Sequence, residues 1–124
     1  MSFRAPKLIL SQEDYRKLSA LLEACRSESA EFLEQELGRA EVVPAAEVPR
    51  DAVAMGKAVL VRDLEGGAEH SYTLVYPHDA KAEDGRISVL APLGVALLGL
   101  RAGDRYEWRN PSGMRKAFRV LEVA

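Results

Sequence analysis

The sequence predicts an α+β protein: a short N-terminal antiparallel helical hairpin of coiled-coil type, then an antiparallel sheet packed with one helix. Three observations carry that expectation. Apolar residues recur with spacings of 3, 4 and 3 in two successive runs, Tyr15-Leu18-Leu22-Cys25 and Ala30-Leu33-Leu37-Ala40, the seam of a coiled coil. From Lys57 onward the period changes to the alternation of strands, punctuated by turn residues. One compact apolar helix interrupts that alternation inside the stretch Ile87 to Asp104, ISVLAPLGVALLGLRAGD.

Taken in order, Lys7-Leu8-Ile9-Leu10 is a short apolar lead that covers the foot of the first helix. Ser11 is the expected N-cap of that helix, with Gln12, Glu13 and Asp14 at the positive end of its dipole. The polar break Arg26-Ser27-Glu28-Ser29 is too short for anything but an antiparallel return. Each arm is then roughly 20 Å long. Arms this short are marginal alone, so they are expected to lean on the rest of the chain. The hairpin takes residues 1–43, and the proline-bearing segment 44–56 reads as a linker to the C-terminal unit, 57–124.

Within that unit Ala58 to Asp63 is a strand, Glu65-Gly66-Gly67 a hairpin turn, and Ser71 to Tyr76 the returning strand, ended by Pro77. Ile87, Val89 and Leu90 form the next strand. Tyr106 and Trp108 alternate with Glu107 and Arg109 on another, Asn110-Pro111-Ser112-Gly113 is a turn, and Lys116 to Val123 closes the sheet.

The apolar helix is expected from Pro92, a favourable first-turn residue, to Leu100. Leu93, Ala96, Leu97 and Leu100 form one stripe for the sheet. The opposite face, Pro92, Gly94, Val95, Leu98 and Gly99, is apolar too. Either the chain itself covers both faces, or the second face is an exposed patch on which another protein docks.

Composition bounds the function classes. The 124 residues allow one medium domain, or a small domain with an appendage. A net charge of −2 gives no global footprint for nucleic acid, and the C-terminal Arg101, Arg105, Arg109, Arg115, Lys116 and Arg119 read as solvated outer faces of strands. The lone Cys25 cannot form an internal disulfide and sits at a seam position. No apolar run reaches signal or membrane-span length, so the expectation is a cytoplasmic protein without membrane contact. His70 and His78 have no Cys or His at metal-ligand spacing. The glycine pairs lack the spacing of a phosphate-binding loop, and no nucleophile, base and oxyanion set assembles. No catalytic residue, metal or cofactor is expected.

The string ISVLAPLGVALLGLRAGD, Met55-Gly56 before the first strand, Thr73-Leu74-Val75-Tyr76-Pro77 and the Asn110-Pro111-Ser112-Gly113 turn together resemble the C-terminal domain of the bacterial Gre transcript-cleavage factors. The short hairpin and the Leu-Val-Tyr-Pro string are closer to the Gre-like branch named for regulation of nucleoside diphosphate kinase. The resemblance implies an FKBP-like C-terminal domain that docks at the secondary-channel rim of RNA polymerase, with the hairpin pointing into the channel. It places docking at Pro92 and at Leu90, which stands in place of an acidic residue of the Gre pattern, and the apolar face beside them adds Val95 and Leu98 to the expected docking edge. It implies a tip formed by Arg26, Glu28 and Glu31. Gre tips carry acids that help hold a catalytic magnesium ion, but arms of roughly 20 Å are too short for that role. The function expected from the resemblance is a non-enzymatic transcription regulator that competes with Gre factors. It includes no direct sequence-specific nucleic-acid binding, and any link to nucleoside diphosphate kinase is an indirect one carried by the name. An FKBP-like prolyl isomerase, with Tyr72, Tyr76, Tyr106, Trp108 and Phe118 lining a pocket, is the alternative.

Overall fold

The computed structural model describes residues 8–109, 113 and 115–124, without the side chains of Trp108, Arg109 and Arg115. Lys7, the expected turn at 110–112 and the face taken by Trp108 lie outside the described residues.

Helices α1 (Gln12–Ala24) and α2 (Glu28–Gly38) occupy the two seam runs. Each begins on a serine: the Asp14 N–H donates to Ser11 Oγ at 3.1 Å, and the Ala30 N–H donates to Ser27 Oγ at 3.0 Å. Each bond satisfies one of the donors that a helix start leaves open. Leu18, Leu22, Ala30, Leu33 and Leu37 are buried. At 13 and 11 residues the helices fall short of two heptads, so what forms is a helix pair that shares the protein's core, not a self-standing coiled coil.

Two short strands missing from the sequence reading pin the foot of this pair. β1 (Ile9–Ser11) runs directly into α1, and β2 (Glu41–Val43) follows α2. They pair in parallel, Ile9 with Glu41 through Ser11 with Val43, and the Glu41 N–H donates to the Leu8 carbonyl at 2.8 Å.

The remaining strands are β3 (Ala58–Asp63), β4 (Glu69–Val75), β5 (Arg86–Ser88), β6 (Arg105–Arg109) and β7 (Arg115–Val123). They form one sheet in the order β5-β4-β3-β7-β6. Three of its pairings are antiparallel, but β4 and β5 run parallel, so the sheet is mixed. The reason is local. After β4 the chain makes short helical turns at Pro77–Asp79 and Ala82–Asp84, which carry it back before β5 begins. The β3–β4 turn is fixed by Asp63, whose carboxylate accepts the Glu65 N–H at 2.8 Å.

Residues 51–56, within the expected linker, are stitched into the sheet unit. Ala52 and Val53 are buried. The Val53 N–H donates to the Leu100 carbonyl at 2.7 Å, and the Gly56 N–H to the Leu74 carbonyl at 2.8 Å. Arg101 pairs with Asp51 at 2.9 Å. One apolar core results, running from Leu18 and Leu33 of the helices through Val59, Val61, Leu74 and Val120 of the sheet to Leu97.

Candidate docking site around the third helix

Helix α3 spans Pro92–Leu97, shorter than the expected run to Leu100. Leu98 leaves the helical conformation, and Gly99 follows at φ +86°, a left-handed value that glycine adopts without steric cost. The helix is aimed by the turn before it. Ser88 accepts twice, at its carbonyl from the Ala91 N–H (3.0 Å) and at Oγ from the Leu90 N–H (3.0 Å). Gly94 lets α3 settle onto this turn, because a Cβ there would collide with the Ser88 carbonyl oxygen.

The surplus apolar face is covered by the chain itself. Val95 is 4% exposed and Leu98 is 1% exposed, so neither lies on an open patch. Segments far along the sequence close on this region: α2 packs on α3, and the Leu8 side chain lies where a Cβ on Gly99 would project. This corrects the expectation for those two residues. What remains open is a ledge of exposed Pro92 with half-buried Leu90, Ala91 and Ala96 around it.

The tip residues are all accessible. Arg26, Glu28 and Glu31 are exposed, and both glutamates lie in the first turn of α2. Among the described residues no three His, Cys, Asp or Glu gather as a metal site. His70 and His78 are exposed, and Cys25 is half-buried. Of the aromatic residues weighed for an isomerase pocket, Tyr106 and Phe118 are buried and stacked, with ring centres 5.5 Å apart.

The sequence reading missed the junction between the helix pair and the sheet. Tyr76, at the end of β4, comes close enough to α1 to feel Asp14 and Glu13. Burial first, and then those two carboxylates, push the Tyr76 phenol up to about 12. Burial, with the neighbouring Glu13 charge, raises the Asp14 carboxyl above its ordinary value. No local pattern marks this contact, because its partners lie far apart in sequence.

The sequence profile of "Transcription elongation factor, GreA/GreB, C-term" matches residues 48–124. The chain belongs to the GreA/GreB family. A second profile, the Rnk N-terminus, matches residues 6–43 of this Gre-family chain. The regulator of nucleoside diphosphate kinase of Escherichia coli K12 is 37% identical over 95% of this chain and 89% of its own length. Transcription elongation factor GreA of Chloroflexus aurantiacus is 39% identical over 90% of this chain and 68% of its own. Among solved structures, the transcription elongation factor GreA/GreB of Nitrosomonas europaea superimposes with a TM-score of 0.86 at 42% identity, over 96% of this chain and 98% of that one. The GreA factor homolog of Thermus thermophilus shares the fold at a TM-score of 0.53 and 22% identity, covering 96% and 99%. These relatives are regulators and elongation factors, and they make a transcription-associated regulatory role the coarse function of the chain. Among the described residues no helix is long and apolar enough to cross a membrane.

Proposed function

We propose that the protein is a non-enzymatic transcription regulator that binds RNA polymerase at the rim of its secondary channel and competes there with Gre factors. The observation that carries this reading is the exposed Pro92 ledge on a family-matched domain, held in place by the Ser88 turn and the covered face beneath. Pro92 and Leu90 make the contact. Val95 and Leu98 act from within, as the packing that keeps α3 in position. The helix pair enters the channel mouth as an antiparallel plug, with Arg26, Glu28 and Glu31 at its leading end. Glu28 and Glu31 are two solvated carboxylates, and two carboxylates hold magnesium only with further oxygen ligands. Arms of roughly 20 Å leave them short of the polymerase catalytic centre, so the protein does not stimulate transcript cleavage. An FKBP-like relation of the sheet unit and a cytoplasmic location belong to the same reading. The connection to nucleoside diphosphate kinase stays indirect, since it rests on the name of the relatives.

The test is binding to purified core polymerase. A complex should form, GreA should displace the protein from it, and Pro92→Asp should weaken it about tenfold, the effect of roughly 1.4 kcal/mol of lost contact, without lowering the melting temperature. Leu90→Asp, which restores the acid of the Gre pattern, should tighten it. Absence of a complex, or indifference to both substitutions, removes the docking reading. Cleavage of backtracked transcripts that disappears in Glu28→Ala removes the reading of the tip.

A further inference from the structure

The outer face of the sheet carries a feature that the docking ledge does not use. The registers pair Arg62 of β3 with Arg119 of β7, and Arg119 in turn with Arg105 of β6. Directly paired residues of neighbouring strands project from the same face. All three arginines are exposed, and their sequence neighbours Val61, Val120, Phe118 and Tyr106 are buried, so the row stands on the face turned away from the core. None of the three makes an ion pair with a described residue. Like charges placed side by side across strands oppose folding, and the one acid in register with the row, Glu69 opposite Arg62, makes no ion pair with it among the described residues.

We infer that Arg62, Arg119 and Arg105 form a recognition surface for an acidic α-helix of a partner protein, laid across the strands. Spacing supports a helix. Two inter-strand steps separate Arg62 from Arg105 by roughly 10 Å, and a helix advances about 10 Å between positions i and i+7. Carboxylates at i, i+4 and i+7 therefore meet the guanidinium forks in turn, and the planar fork suits a carboxylate. The surroundings favour a patterned protein over an extended polyanion. Glu69 faces Arg62 in register at one end of the row, and Glu122 pairs with Leu60 in the adjoining row. A continuous phosphate chain would be repelled at these points, whereas a helix can set a Lys or Arg against each. Half-buried Leu60 and Ala117 flank the row and offer apolar contact to the helix body.

The test uses the full chain and a stapled alanine-based helical peptide with Glu at i, i+4 and i+7, followed by fluorescence anisotropy. Saturable binding is expected, with loss of affinity as salt rises. The Gln version of the peptide should not bind. Arg119→Glu should weaken binding of the Glu peptide about tenfold or more. Arg119→Gln should raise the melting temperature of the free protein by about 1–3 °C, because it relieves the row. The inference is overturned if the Glu peptide fails to bind, if the Gln peptide binds equally, or if Arg119→Glu changes nothing. It is overturned too if single-stranded oligouridylate binds through these arginines while the Glu peptide does not. A fall in melting temperature for Arg119→Gln would mean that the row is already satisfied internally, and would also overturn it. None of these outcomes depends on the polymerase contact.

Discussion

Among the described residues, the hydroxyls of Tyr76 and Tyr106 are buried and have no hydrogen-bond partner. A buried polar group with no partner costs roughly 1–3 kcal/mol relative to a satisfied one. Tyr106→Phe removes the group and keeps the ring stacked on Phe118, so it should raise stability by about 1 kcal/mol in urea unfolding, or leave it unchanged. A loss of stability would mean that the hydroxyl is bonded after all. Burial also fixes the direction of the pH response, since it raises both phenols above their ordinary value. Each binds its proton more tightly in the folded chain than in the unfolded one. Their contribution to stability is complete below the ordinary phenol value of about 10 and is lost as the pH rises through the folded value, about 12 for Tyr76. Melting curves should therefore fall in the alkaline range, and less steeply in Tyr76→Phe.

At the scale of elements, α3 is set by its two neighbours more than by its own helix propensity. Replacing a helical glycine with alanine ordinarily gains roughly 1 kcal/mol. At Gly94 the added methyl meets the Ser88 carbonyl oxygen, so Gly94→Ala should instead cost about 1–3 kcal/mol. The sign of the change in urea unfolding decides between propensity and packing. Val95→Glu, in turn, buries an unpaired charge and should unfold the chain, so it measures packing and not docking. The same distinction marks what could be read from the residues beforehand. Strands β3, β4, β6 and β7 announce themselves by alternation, and α1 and α2 by their seam and the Ser11 cap, because those signals are local. The β1–β2 pairing is three residues a side and joins segments separated by the whole helix pair. The cover on the region that holds Val95 and Leu98 comes from distant segments, α2 against α3 and Leu8 against Gly99. Neither leaves a periodic trace, which is why an apolar face that is buried reads in the sequence like one that is open. The candidate ledge was legible only at its rim, Leu90 and Pro92.

For the whole molecule, the shared core makes the helix pair and the sheet one cooperative body. Leu33 of α2 is 1% exposed within the same cluster as Val59 and Leu74 of the sheet. Leu33→Ala should lower stability by about 2–5 kcal/mol. The far-ultraviolet signal of the helices and the near-ultraviolet signal of the buried Tyr106–Phe118 pair in the sheet should share one unfolding midpoint. Separate midpoints would mean that the two halves fold independently. Because α2 rests directly on α3, a partner held at the Pro92 ledge would also feel any reorientation of the helix pair.

The parallel clasp of β1 and β2 has a further consequence. It fastens the chain just before α1 and just after α2, so everything between Ser11 and Glu41 is a closed excursion from the body. Whole heptads added at the connection between the helices would extend the excursion outward without disturbing the clasp, the sheet or the ledge. Reach and attachment are thus separate variables in this architecture, and the length of the pair works as an adjustable ruler on a fixed mount.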